Sequence, residues 1–381
     1  MRRTLPIFLA FLVMGFGDVV GPLVGLAKES FALSNTVAFT LTFMGFIMFG
    51  ILSLPIGIYQ DKKGKKFILL LGLSIAFLGM ILPTFTLSSF VILLLSVLFL
   101  GAGATIMQVA GNPIMRDVSA EGKYARNLSL GQFVKAIGSL SGPVLPVLAV
   151  RYWHADWKIV FPIYGVIVLL TIISVSTLKV EEKKYEKSEP ASFRSCLALL
   201  KNKYVLMMVM AIFVYVGAEV CMSSGIPLYL KEQFGINIQK LGLLGTGLFF
   251  TALMVGRFLG GVILTWVKAK TFFVVTSILS IVSILGLYLG SATIAIIAVI
   301  FIGLTFANIF PLVFSITIEH MPEKTNELSG LMITAIVGGA IIPPIMGMIS
   351  DLTSSTLMGF LVPMAAIVYV AWTALINLKN A

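Results

Sequence analysis

Charge is scarce in this chain. Asp, Glu, Lys and Arg together make 11% of 381 residues, while 59% are hydrophobic. A water-soluble protein of that length has too little interior to hide so much apolar surface, so lipid must be the solvent for much of it. Histidine and cysteine are scarcer still, with two of each. Cys196 and Cys221 stand in unrelated contexts without metal-ligand spacing, so neither a structural disulfide nor a metal site is expected. His154 and His320 fall in loops assigned to opposite faces, and no nucleophile–base cluster or phosphate-cradling glycine loop is present. An enzyme is therefore not expected, nor a cofactor. No signal peptide is expected either. The first apolar run contains Asp18 and lacks a small-residue cleavage site, so it reads as a retained span.

What the chain has instead is apolar runs, each long enough to cross a bilayer. They fall at about 5–27, 36–59, 67–85, 89–115, 128–150, 159–178, 204–230, 241–267, 272–289, 292–316, 329–350 and 357–378. Twelve spans are expected, and they must be helices, because a spanning segment has to satisfy its backbone hydrogen bonds internally. Barrel strands would be half as long and would alternate polar with apolar. The basic residues set the orientation. With both termini on one side, 20 of the 27 Lys and Arg lie in segments on that side and 5 in the opposite loops, with Lys135 and Arg257 inside spans. That bias marks the richer side as cytoplasmic. It also accounts for the net charge of +11, so nucleic acid is not an expected partner.

The longest loop, about 179–203, opens with Lys179-Val180-Glu181-Glu182-Lys183-Lys184 and contains a stretch from Phe193 to Leu200 that suits an amphipathic surface helix. It divides the chain into an N-terminal six-helix bundle, 1–178, and a C-terminal one, 204–381. The halves echo each other. Ala136-Ile137-Gly138 and Pro143 return about 200 residues later as Ala335-Ile336, Gly338 and Pro343. Gly50 and Lys62 return as Gly256 and Lys268, with Val267 where Asp61 would fall. Two six-helix repeats place a binding site at their interface near mid-membrane. Gly111-Asn112-Pro113 and Pro343-Pro344 are expected breaks or kinks.

Between spans 2 and 3 lies Gly57-Ile58-Tyr59-Gln60-Asp61-Lys62-Lys63-Gly64-Lys65-Lys66. Its order, Gly-x-x-x-Asp-Lys-x-Gly-Lys-Lys, resembles the helix 2–3 loop signature of the major facilitator superfamily. Met107-Gln108-Val109-Ala110-Gly111-Asn112-Pro113, Tyr215-Val216-Gly217-Ala218-Glu219, Gly256-Arg257-Phe258, Phe310-Pro311 and Ile336 to Pro344 resemble segments of its fucose/glucose/galactose:proton symporter branch. The resemblance implies an all-α membrane protein of twelve transmembrane helices in two pseudo-symmetric six-helix bundles, working as a sugar transporter. It also implies a gating role for Gly57, Asp61, Lys62, Gly64 and Lys65, which would latch the two halves at the cytoplasmic face. Asp61 sits at the C-terminal end of its helix, where the dipole disfavours a carboxylate, so it needs a specific partner such as the start of a neighbouring helix.

The departures from the branch are informative. Its span 4 acid, associated with proton coupling, corresponds here to Gln108, which cannot carry a proton. Its span 1 acid aligns with Gly21, one helical turn after Asp18. A polar, uncharged span 5 position is Lys135 here. Four charges lie inside spans, Asp18, Lys135, Glu219 and Arg257, and an intramembrane charge is presumed to face a partner or a wet cavity. Asp18 and Glu219 are the expected proton carriers. Lys135 meets an anionic group on the substrate, pairs with Asp18 or Glu219, or snorkels to the surface, which its depth disfavours. Arg257 stays charged and is assigned a structural tie. The substrate-binding set is Asp18, Gln108, Asn112, Gln132, Lys135, Glu219 and Asn308, because amides and carboxylates suit sugar hydroxyls. Phe16, Tyr215 and Phe310 are available to stack on a sugar ring.

The expected function is thus a monomeric secondary active transporter in a bacterial inner membrane, with both termini cytoplasmic. It would import a sugar or sugar derivative by alternating access with a coupling proton, sodium or facilitated diffusion remaining open. Lys135 favours an anionic sugar of sialic or uronic acid type. A neutral hexose or amino sugar, a drug exporter and a non-transporting sugar sensor are the alternatives.

Overall fold

The computed structural model describes residues 5–19, 27, 30–32, 35–86, 89–179, 192–235 and 246–379. Gly21, Lys28, Lys240 and most of the expected linker, 180–191, lie outside the described residues. Every regular element among the described residues is a helix. The spans are α1 (Leu5–Gly15), α2 (Asn35–Lys63), α3 (Lys65–Thr86), α4 (Phe90–Val118), α5 (Tyr124–Tyr152), α6 (Val160–Thr177), α7 (Lys203–Phe234), α8 (Thr246–Ile263), α9 (Ala269–Leu285), α10 in two pieces (Ala292–Phe306 and Ile309–His320), α11 in two pieces (Thr325–Thr334 and Gly338–Thr353) and α12 (Leu361–Lys379). A short helix, Phe193–Leu199, lies in the linker region, where the sequence suggested a surface helix. By length and composition nine segments among the described residues qualify as spans, and Leu5–Val19 and Gly247–Ile263 are shorter apolar helices. The twelfth, α5, carries Arg126, Lys135 and Arg151.

The helices pack into two compact units. One comprises Met1–Glu121, Val134–Leu197 and Met321–Thr334, and the other Gly122–Phe133, Ala198–His320 and Ala335–Ala381. The units therefore differ from the two sequence halves by an exchange of the first stretches of α5 and α11. Within the second unit, Phe133 lies 5.3 Å from Phe258, ring to ring. Within the first, Ser329 at the start of α11 reaches the carbonyl of Val109 in α4, 2.7 Å away.

The internal repeat is visible in equivalent contacts inside each unit. Gly138 of α5 abuts the carbonyl of Leu12 in α1, and Gly338 of α11 abuts the carbonyl of Phe213 in α7. Gly101 of α4 abuts Gly45 of α2, as Gly303 of α10 abuts Phe249 of α8. Leu12 and Phe213 are 201 positions apart, and so are Asp18 and Glu219. Helices in lipid approach closely where a small residue lets the backbones touch, so these glycines fix the pairing of each bundle.

Of the breaks or kinks expected at the prolines, no break is found there. α4 runs unbroken through Pro113, and the second piece of α11 runs through Pro343 and Pro344. The breaks fall instead at Ala307–Asn308 in α10 and at the 3-10 turn Ala335–Val337 in α11. A proline removes the hydrogen bond to the carbonyl four residues earlier and crowds it, and at two prolines a neighbouring helix supplies a new donor. Pro113 frees the carbonyl of Val109, which accepts from Ser329 Oγ. Pro83 frees the carbonyl of Gly79, which accepts from Ser96 Oγ. With the freed acceptors satisfied by side chains, the helices continue.

Candidate functional site

In the first unit α1 ends at Gly15, and the chain tightens into a 3-10 turn, Phe16–Val19, that carries Asp18. A Cβ on Gly15 would collide with the backbone of α5 at Lys135, Gly138 and Ser139. This close approach brings α5 to Asp18. Lys135 Nζ lies 3.4 Å from Asp18 Oδ2, with 14% of the lysine side chain exposed and 41% of the aspartate. Ser139 Oγ donates to the same oxygen at 2.7 Å. The site is therefore a carboxylate held by an ammonium and a hydroxyl one helical turn apart on α5.

The second unit holds its own pair. Arg257 Nη2 of α8 lies 3.5 Å from Glu219 Oε1 of α7, with 11% and 19% of the side chains exposed. Arg257 Nε is buried without a hydrogen-bond partner. The hydroxyl of Tyr215, one turn before Glu219, donates to the carbonyl of Phe306 at 2.9 Å. Each intramembrane carboxylate thus faces a cation of its own unit, and each occupies the same repeat position.

The expected amides divide. Gln108 and Asn112, one turn apart on α4, are buried in the first unit. Gln132 is buried, in the stretch of α5 that belongs to the second unit, and its Nε2 has no hydrogen-bond partner. Asn308 sits at the break in α10 and donates to the carbonyl of Gly256 at 2.7 Å, an inter-helix tie of the kind that polar groups form in lipid. The three aromatics are packed on other rings. Phe16 lies 4.1 Å from Tyr164, Tyr215 lies 5.9 Å from Phe306, and Phe310 lies 5.8 Å from Phe314.

The basic loop closes a second cluster, wholly in the first unit. Asp61 Oδ1 accepts from Asn326 Nδ2 at 2.9 Å, and Gln60 Nε2 donates to Asn326 Oδ1 at 2.8 Å. Asn326 is the second residue of α11, so Asp61 faces a helix N-terminus, whose partial positive charge suits a carboxylate. Gly57 makes room, since a Cβ there would stand 2.9 Å from the carbonyl of Asn326 and 3.0 Å from Gly330 Cα. Gly64, at φ +86°, lets α2 stop and α3 start within one residue. Lys65 pairs with Asp117, both side chains buried. Lys66 donates to the carbonyl of Ser176 at 2.7 Å, at the C-terminal end of α6, where a cation is favoured. Arg116 reaches Thr325 Oγ1 at 3.5 Å, and Lys324 lies 3.5 Å from the buried Glu327. Lys62 is exposed.

This arrangement has relatives. Residues 7–344 match the Major Facilitator Superfamily. The chain belongs to that superfamily. Among curated proteins, a putative glucose/galactose transporter of Helicobacter pylori is 29% identical, covering 97% of this chain and 95% of its own. The L-fucose-proton symporter of Haemophilus influenzae is 22% identical over 90% of this chain and 87% of its own. Among solved structures, the superfamily transporter FucP in its outward conformation superposes with a TM-score of 0.85, at 20% identity and 99% coverage of both chains. The chain is an integral membrane protein with the superfamily's twelve-helix, two-bundle fold.

Within that fold, sequence reasoning did not name Asn326, Ser139, Ser329 or Asp117. Asn326 had a usable signal, a Thr-Asn pair three residues after Pro322 at the head of an apolar run, which is how helix N-termini read. Ser139, Ser329 and Asp117 had none, since their partners are distant in the chain.

Proposed function

We propose that this superfamily member carries a neutral hexose across the bacterial inner membrane, inward, as a monomer with both termini cytoplasmic. The two six-helix repeats, 1–178 and 204–381, would alternate access to a shared site, with the Asp61–Asn326 contact closing the cytoplasmic end in one state. The observation that carries the choice of substrate is the Asp18–Lys135 pair. An acidic sugar needs a cation that no protein carboxylate has claimed, and Lys135 is matched by Asp18. The expectation of a sialic or uronic acid therefore gives way to the neutral alternative, which also agrees with the glucose/galactose and L-fucose names of the relatives. Gln108 and Asn112, one turn apart on α4, are the amides proposed to meet sugar hydroxyls. Coupling to a proton, the property in the fucose relatives' name, would require Asp18 or Glu219 to take up and release that proton.

Ligand-induced thermal stabilisation of the purified protein tests the reading, because a ligand that binds only the native state raises apparent stability with its concentration. Glucose, galactose or fucose should stabilise, and their counterflow in proteoliposomes should follow. Stabilisation by sialic or glucuronic acid alone would return the substrate to the anionic class. Binding without counterflow would make the protein a sensor.

A further inference from the structure

The two repeat-related carboxylates have their cations from different sources. Glu219 meets an arginine on α8, the helix next along the chain. Asp18 meets a lysine on α5, four helices on in sequence. A carboxylate that works with a transported proton alternates between charged and neutral, and the neutral form is the one that tolerates loss of water as a site closes. At Asp18 the chain itself supplies the neutralising charge. Lys135 Nζ stands at 3.4 Å and the Ser139 hydroxyl at 2.7 Å, both on the same oxygen. The backbone contact of Gly15 with Lys135, Gly138 and Ser139 holds the two helices at that separation.

Among the described residues, the helices packed on α1 bring no other charge into contact with this pair. The described part of α1 has no titratable residue. α4 presents Gln108 at the level of the span and carries Arg116 and Asp117 only at its far end. α3 carries Lys65 and Lys66 at its basic start. α6 presents Tyr164, whose hydroxyl is 2.9 Å from Ser141 Oγ and whose ring packs on Phe16. On α5 itself the remaining charges in the described span are Arg126, more than two turns away, and Arg151 near the opposite end.

We propose that Lys135 is a resident cation that takes the place of a transported proton at Asp18, so that the first-unit carboxylate works as a permanent ion pair. This rests on the hexose-transport reading for its main assay and on charge balance for its logic. Removing the lysine leaves the carboxylate with the Ser139 hydroxyl and without its cation, and a proton can then neutralise it. Removing both charges restores neutrality.

The test compares wild type, Lys135→Gln, Asp18→Asn and the double variant in proteoliposomes between about pH 5.5 and 8.5, following counterflow of glucose or galactose. Lys135→Gln should acquire a new pH dependence, slowing on the alkaline side by up to about tenfold per pH unit, the limit for one proton, and recovering on acidification. The double variant should regain the shape of the wild-type profile, whatever its rate. Asp18→Asn should be impaired, because it leaves Lys135 without its carboxylate. Melting temperatures of the same four proteins give a readout that needs no sugar. Lys135→Gln should gain stability on acidification relative to wild type, and the double variant should not. A wild-type pH profile and wild-type melting behaviour in Lys135→Gln would overturn the proposal, as would a double variant that keeps the acid dependence. Absence of hexose counterflow in wild type, with the melting pattern intact, would instead sink the substrate reading alone.

Discussion

Replacing Ser329 by alanine should weaken the protein only because Pro113 is where it is. Pro113 has no amide hydrogen, so the carbonyl of Val109 loses its helical donor, and Ser329 Oγ supplies a replacement at 2.7 Å. Val109 and Ser329 are fully buried, so Ser329→Ala strands an acceptor that neither water nor lipid can serve. A stranded buried group costs about 1–3 kcal/mol in soluble proteins, and inter-helix hydrogen bonds in membranes average about 0.6 with a ceiling near 1.7. The expected loss is therefore about 1 kcal/mol, roughly a fivefold change in the folding equilibrium. In a Pro113→Ala background the amide hydrogen returns, and Val109 closes an ordinary helical bond. There Ser329→Ala should be nearly neutral. Equilibrium unfolding of the four proteins in mixed detergent micelles gives the coupling energy directly. Equal losses from Ser329→Ala in both backgrounds would refute the freed-carbonyl account.

Three other outcomes are expected. Glu219→Gln strands the Arg257 charge in a span, a loss of about 3–5 kcal/mol, and adding Arg257→Gln should recover most of it; a double variant as unstable as the single would exclude the pair. Asn326→Ala removes the partner of both Gln60 and Asp61, so maleimide labelling of a Ser53→Cys probe, fully buried beside Gly330, should rise; unchanged labelling would remove this contact from any closing role. At the end of α7, Glu232 accepts from the hydroxyl and the backbone N–H of Thr356, and these bonds, the hydroxyl first, hold its carboxyl below the ordinary value of 4.5. Because the folded value is the lower one, the contribution is complete above the ordinary value and is lost as pH falls through the folded value. Glu232→Gln should flatten that acid limb of the stability profile, and an unaltered limb would assign it to other groups.

The repeat and the charge pairs differ in how far the sequence could carry them. Asp18 and Lys135 were both visible as intramembrane charges, yet their pairing stood beside substrate contact as an open choice, because 117 positions separate them and only the Gly15–α5 contact makes them neighbours. Asn308 looked like a sugar-binding amide, and it ties α10 to Gly256. The helix breaks were sought at prolines, whereas the carbonyls freed by Pro83 and Pro113 are met by serines, one on the next helix and one 220 positions away. Asp61 was expected to need a partner such as a helix start, and the residue that meets it is Asn326.

What the sequence by itself determined is what a bilayer selects one segment at a time. Apolar length, basic asymmetry and the scarcity of charge within spans each depend on a single segment meeting lipid, and they specified the all-helical, twelve-span class. Tertiary structure decided which charges neutralise one another, which carbonyl a serine serves and which stretches of α5 and α11 join which unit. Those outcomes depend on distances of a few ångströms between residues far apart in the chain, and such distances are set only when glycines such as Gly15 and Gly138 let one helix settle against another.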